Sequence, residues 1–250
     1  MEIQKSVSIV HSIRSKILYG GFLGAICIYA LVHVTVSSSE LAIMRLQQSY
    51  GFIALGLLYL TLLVSPLTVA FPGMQFAGKI KRSRRATGQL VFFFGALHGS
   101  IALFLQLGGI SGLQFLDATY RLALSLSFIA LCILFLMTVT SFDLAVARLT
   151  YNRWKILHRF VYLAGMLILC HAWLLGSHFA DRLGPIMNVL YVALAFLFSL
   201  EAHRFDTYLY EKNIYRGKMR IFFSLSTGIF LAFFLWLSWV HGIALLGESR

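Results

Sequence analysis

Seven long apolar runs limit what this chain can fold into. Each is close to the length of about 20 residues that a helix needs to cross about 30 Å of hydrocarbon. The runs lie at about 17–36, 51–71, 86–107, 121–141, 154–176, 185–202 and 221–246. Hydrophobic residues make up 59% of the chain and charged residues only 12%, which excludes an ordinary soluble domain and a disordered chain. The pattern predicts an all-α, polytopic membrane helix bundle, with residues 1–250 forming a single transmembrane domain.

The basic residues indicate how the bundle is oriented. The net charge of +12 does not indicate a nucleic-acid partner, because the Lys and Arg residues lie in short runs between the apolar segments. With seven spans, 17 of the 21 basic residues fall on one side of the membrane and four on the other. The positive-inside rule then predicts a cytoplasmic N-terminus.

Four histidines lie inside the predicted spans: His33, His98, His158 and His171. Ionisable residues in the bilayer core are costly, so each is a candidate functional residue. No Asp or Glu lies deep in any span, whereas proton pumps and cation-coupled transporters usually use an intramembrane carboxylate. A neutral imidazole suits a metal ion or haem iron.

Depth along the helices separates the candidates. His98 lies 13 residues beyond Arg85, which corresponds to about 20 Å of helix. His171 lies 19 residues beyond Asn152, a candidate N-cap, which corresponds to about 28 Å. Because both helices run in the same direction, the two imidazoles are predicted to share a level. One histidine from each of two parallel helices at matched depth is the arrangement that a bis-histidine b-type haem requires.

His158 is predicted to stand apart from that pair. It lies only about 9 Å into its span, and on an ideal helix it points about 140° away from His171, unless the helix is distorted near Gly165. The sequence therefore predicts one complete site and one separate imidazole. The alternative for His158 is an interfacial residue of the basic run RWKILHR, and His33 is interpreted mainly as structural, with a haem or quinone contact as the alternative.

Three segments resemble a known family. They are LTLLVSPL (60–67), RRATGQLVFFFGALHGS (84–100) and VTSFDLAVARLTYNRWKILHRFVYLAGMLILCHAW (139–173). They are similar to the ferric-reductase-like transmembrane family, and most of all to the haem-binding membrane subunit of the bacterial periplasmic methionine-sulfoxide reductase system. The resemblance implies a ferric-reductase-like core at about 51–202, with an extra C-terminal span at about 221–246.

The resemblance also implies a function. Members are b-type cytochromes of the bacterial inner membrane that carry haem b on the third and fifth helices. His98 and His171 then correspond to the outer haem pair, and His158 to the inner ligand. The implied role is an electron-transfer subunit, rather than a self-contained enzyme, that passes electrons from a cytoplasmic, quinol or flavin donor to a periplasmic, molybdenum-containing reductase. An association with FMN or a quinone is part of the same resemblance.

Other readings remain open at the level of sequence. One is a ferric or metal reductase component with a different acceptor. Another is a cofactor-free transporter or channel, and a third is an assembly subunit whose histidines only pack. Arg45, Arg121 and Arg182 are candidates for pairing with haem propionates, and the alternative for each is a plain loop charge.

Overall fold

Long helices joined by short connections make up the computed structural model, which describes residues 2–176 and 185–211. Within these residues no strand is present. The helices are α1 (Glu2–Thr35), α2 (Ser39–Ala70), α3 (Ala77–Ser100), α4 (Ala118–Val139), α5 (Asp143–Arg148), α6 (Tyr151–Arg159), α7 (Val161–Leu175) and α8 (Pro185–Glu211).

Within the described residues, six helical stretches are long and apolar enough to cross a bilayer. They are Ile13–Thr35, Ser39–Ala70, Ala77–Gln106, Ala118–Val139, Asn152–Leu175 and Ile186–Glu211. They correspond to the first six predicted spans, so the prediction of an all-α, multi-pass membrane bundle is confirmed. The seventh predicted span, at 221–246, lies outside the described residues.

The described chain forms two compact units. Residues 2–62 and 78–174 form the first, and residues 63–77, 175–176 and 185–211 belong to the second. The first unit contains the four histidines that the sequence singled out. The prediction of a single domain over the whole chain stays a prediction.

The first three helices of the larger unit pack around a common apolar cluster. Tyr50 is buried there, and its hydroxyl donates a hydrogen bond to the carbonyl oxygen of Ala25 at 3.0 Å. Phe94 of α3 contacts the same tyrosine ring, with 5.8 Å between ring centroids. The buried members of the cluster are Ala25, Val32, Ala42, Leu46, Tyr50, Leu90, Phe94 and Ile101. These contacts fix α2 against α3 next to His98.

Helix α2 begins at Ser39, 12 residues before the predicted start of its span at 51. Ala42, Leu46 and Tyr50 are buried at intervals of four residues, which is the spacing of one helix face. The intervening polar residues, such as Arg45, lower the local hydropathy and hide this face from a search for apolar runs. The early start matters because it makes residues 47–51 helical.

Two irregularities interrupt the spans that carry histidines. Helix α3 continues as a π-helical segment, Ile101–Gln106, which begins three residues after His98, and such segments are frequent at functional sites. The span of α6 and α7 breaks at Phe160, whose backbone N–H donates to the carbonyl oxygen of Leu157 at 3.1 Å in a tighter turn. The break lies five residues before Gly165, the position at which a distortion was considered as the alternative to a straight helix. Gly165 itself stays helical and packs against Leu62 of α2.

Candidate functional site

The imidazoles of His98 and His171 face each other across the gap between α3 and α7. Their ring centroids are 6.3 Å apart, and their planes are nearly perpendicular at 85°. Both residues are partly buried. The structure therefore brings together the two histidines whose depths were predicted to match.

Each of these rings is held by a backbone carbonyl of a different helix. His98 Nδ1 lies 2.9 Å from the carbonyl oxygen of Gln47 on α2, and His171 Nδ1 lies 3.0 Å from that of Ala123 on α4. Because a carbonyl oxygen can only accept, Nδ1 must carry the proton in both rings. The lone pair of each neutral imidazole is then on Nε2, which is the nitrogen available to a metal.

The spacing of the two rings fits one iron between them. A metal–imidazole bond is about 2 Å long, and the bonded nitrogen lies about 1 Å from the ring centre, so two rings on opposite sides of one iron are about 6 Å apart. The observed separation is 6.3 Å. Both the spacing and the hydrogen-bonded tautomers therefore suit a bis-histidine iron site.

Two glycines, Gly51 and Gly99, lie close to the His98 ring in space or in sequence. A Cβ built on Gly51 of α2 would lie only 2.7 Å from His98 Nδ1, so only glycine fits there without moving the ring. A Cβ on Gly99 would meet no atom within 4 Å. One side of His98 is thus closed by the backbone of α2, while the space at the neighbouring residue is open.

His158 lies in a different environment, next to the junction of α4 and α5. Its ring stacks on Trp154, with 4.1 Å between centroids and 29° between planes. Its Nε2 lies 3.4 Å from the hydroxyl of Thr140, which itself donates to the carbonyl oxygen of Leu136 at 2.7 Å. His158 therefore contacts Trp154 and Thr140 rather than the facing pair.

Charged side chains surround the His158 region. The guanidinium of Arg85 lies over the Trp154 ring, 5.8 Å from its centroid, and pairs with Asp143 at 3.0 Å. Asp143 also pairs with Arg14 of α1 at 3.3 Å. Arg84 and Arg85 interact electrostatically with His158. This cluster, which we call the basic cluster (Arg14, Arg84, Arg85, Asp143, Trp154 and His158), joins four separate helices at one end of the spans.

The remaining candidates are not the hydrogen-bond partners of the facing pair, which are Gln47 and Ala123. His33 is exposed, and its ring lies 4.4 Å from that of Tyr29. Arg45 and Arg121 are exposed on α2 and in the first turn of α4. Arg45 is therefore helical rather than part of the predicted loop, because α2 starts early. Arg182 lies outside the described residues.

Three contacts to the facing pair escaped the sequence reasoning. Two are backbone carbonyls, of Gln47 and Ala123, which leave no side-chain signal in a sequence. The third is Gly51, which lay at the edge of a predicted span. Gly51 indicates a close contact only when it is known that Gln47 and Gly51 lie one turn apart on the same helix, which begins at Ser39.

Known proteins are similar to this chain over about half of its length or a little more. Residues 50–170 match the family model described as "Ferric reductase like transmembrane component". A relative from Deinococcus radiodurans, named protein-methionine-sulfoxide reductase heme-binding subunit MsrQ, is 36% identical over 143 residues, covering 57% of this chain and 67% of the relative. The MsrQ of Klebsiella pneumoniae is 34% identical, covering 60% of this chain and 72% of the relative. The chain belongs to the ferric reductase-like transmembrane family.

The family match covers only part of the chain, residues 50–170. It includes His98 and His158 and ends one residue before His171. The MsrQ of Ralstonia nicotianae, at 35% identity, is covered over 56% of its length, so the chain spans little more than half of that relative. The predicted family is confirmed by these matches.

Proposed function

We propose that this chain is the haem b-binding subunit of a membrane electron-transfer system. It would hold one haem between His98 and His171, as axial ligands through Nε2. The observation that carries the proposal is the pair of imidazoles 6.3 Å apart, each with Nδ1 bonded to a backbone carbonyl. The names of the relatives support the same cofactor, since they describe MsrQ as a heme-binding subunit.

A non-covalently bound haem is consistent with the cysteines. The three cysteines are Cys27, Cys132 and Cys170, and their spacing excludes the Cys-x-x-Cys-His motif of covalent c-type attachment. Haem, when bound, supplies one-electron chemistry to the site. The chain supplies the two imidazoles, their fixed tautomers and an apolar surrounding of membrane helices that restricts water.

The residues of the larger unit restrict how the imidazoles can move. The hydrogen bonds from His98 to α2 and from His171 to α4 tie each ring to a helix other than its own. A ring held in this way keeps its lone pair directed into the gap and needs little rearrangement when the iron changes charge. Small rearrangement favours rapid electron transfer, so this rigidity suits the proposed role.

We assign His158 to the entry side of the path. The positive-inside rule favours the cytoplasmic side for the basic cluster, and the membrane that we propose is the bacterial inner membrane. His158 is then the imidazole closest to a cytoplasmic, quinol or flavin donor, and the resemblance to the family makes it the candidate inner ligand. Around it, the described residues offer Trp154 stacking and the Thr140 hydroxyl.

The acceptor that we propose is a periplasmic, molybdenum-containing methionine-sulfoxide reductase. The printed names of the relatives connect MsrQ with a protein-methionine-sulfoxide reductase. The family description also admits ferric iron as an acceptor.

The function is tested with the purified chain in sealed vesicles. Reduction by dithionite is expected to sharpen the Soret and α bands of haem b, with about one haem for each complete bis-histidine site. A menaquinol or reduced-flavin donor on the face of the basic cluster should then reduce an acceptor on the opposite face. Methionine-sulfoxide reductase and a ferric chelate are compared as acceptors. A colourless protein from haem-replete cells would contradict the proposal.

A further inference from the structure

Helix α2 touches His98 at two positions that are one helical turn apart. The carbonyl oxygen of Gln47 accepts from His98 Nδ1 at 2.9 Å. Four residues later, a Cβ on Gly51 would lie 2.7 Å from Nδ1 and 3.0 Å from Cε1 of the same ring. Residues four apart share one face of a helix, so one patch of α2 both binds the ring and leaves room for it.

This patch is anchored from two directions. The flanking residues Leu46 and Tyr50 are buried in the apolar cluster, which fixes the rotation of this turn of α2. The side chain of Gln47 accepts a hydrogen bond from Gln106 Nε2 at 2.8 Å. Gln106 is the last residue of the π-helical segment that continues α3. The helix of His98 therefore contacts Gln47 twice: His98 binds its backbone carbonyl and Gln106 binds its side chain.

We propose that Gln47 and Gly51 are positioning residues that set the ring orientation and the Nδ1–H tautomer of His98. The inference rests on the proposed function, in which that ring is an axial ligand. A hydrogen bond from Nδ1 fixes which nitrogen meets the metal and raises the basicity of that nitrogen. Glycine is required at 51 because any side chain there displaces the ring from the carbonyl of Gln47.

Gly51→Ala is the direct test, and Gly56→Ala is its matched control. Gly56 lies on the same helix, and a Cβ there would meet no atom within 4 Å, so both variants change the helix propensity alike. Haem is titrated into haem-free protein in detergent, and the midpoint potential is measured afterwards. Gly51→Ala is expected to weaken haem affinity by about 10–100-fold, the usual effect of losing such an outer contact, and to shift the potential. Gly56→Ala is expected to match the wild type in both.

Two further measurements keep the inference open to refutation if Gly51→Ala folds poorly. The first is Gln106→Leu, which removes the tie to Gln47 without adding bulk at the ring, and which we expect to shift the potential in the same direction by less. The second is thermal unfolding of haem-free protein in two backgrounds. Relative to Gly56→Ala, Gly51→Ala should lower the Tm when His98 is present and should give the same Tm as Gly56→Ala in the His98→Ala background, because the clash is with that ring. An equal fall in both backgrounds would overturn the inference.

Nitrogen-15 NMR of haem-free protein separates this inference from the proposed function. We expect His98 to carry its proton on Nδ1 in the wild type and to lose that preference in Gly51→Ala. If the wild type binds no haem, the proposed function fails, and the NMR result still decides whether α2 positions the ring. If haem binds and Gly51→Ala matches Gly56→Ala in affinity, potential and tautomer, the positioning role is wrong while the haem proposal stands.

Discussion

His98→Ala and His171→Ala should each remove most of the bound haem. Each substitution deletes one of the two imidazoles whose ring centroids are 6.3 Å apart, and the remaining ring would supply only one of the two proposed nitrogen ligands. Loss of an outer contact to a metal ligand already costs about 10–100-fold in affinity, so loss of the ligand itself should exceed that. Haem content per protein, from the pyridine haemochromogen spectrum, measures the effect.

His33→Ala is the matched control for these variants. Its ring also lies on a membrane-spanning helix, but it is exposed and its described ring contact is Tyr29. We expect this variant to keep the haem content of the wild type. Full haem content in either His98→Ala or His171→Ala, with a normally folded protein, would show that the ligand assignment is wrong.

His158→Ala should leave the haem between His98 and His171 in place and slow its reduction from the donor side by about tenfold or more, equivalent to a barrier rise of at least 1.4 kcal/mol. The haem should stay because His158 contacts Trp154 and Thr140 rather than the facing pair. The rate should fall because His158 is proposed to lie on the entry side of the electron path. Stopped-flow reduction in vesicles, with the donor on the side of the basic cluster, gives the rate.

The control for that measurement is His203→Ala, because His203 is an exposed histidine of α8. The haem of this variant should be reduced at the wild-type rate. Dithionite titration of each variant checks that the haem content is unchanged. A wild-type rate in His158→Ala would make His158 a structural residue of the basic cluster rather than part of the electron path.

The sequence was sufficient to predict the six spans that the structure describes and the shared level of His98 and His171. Apolar runs of about 20 residues are a direct consequence of bilayer thickness. The fixed rise of an α-helix turns residue counts from Arg85 and Asn152 into depths. Both arguments need only the geometry of a single helix, so they can be made without knowing the tertiary contacts.

Contacts made by backbone groups could not be predicted in the same way. The carbonyls of Gln47 and Ala123 reach the histidines only after α2 and α4 have packed beside α3 and α7. The start of α2 at Ser39 was missed because Arg45 and its polar neighbours mask the buried face formed by Ala42 and Leu46. The break at Phe160 has no sequence signal of its own, since the glycine considered as an alternative site of distortion, Gly165, is helical and packs against Leu62.

Electron paramagnetic resonance of the oxidised, purified protein tests the central claim most directly. Two imidazoles on opposite sides of one ferric haem, with ring planes near the observed 85°, predict a strongly anisotropic low-spin signal. That signal should disappear in both His98→Ala and His171→Ala and persist in His33→Ala. A high-spin signal in the wild type, or a low-spin signal that survives the loss of either imidazole, would contradict the account.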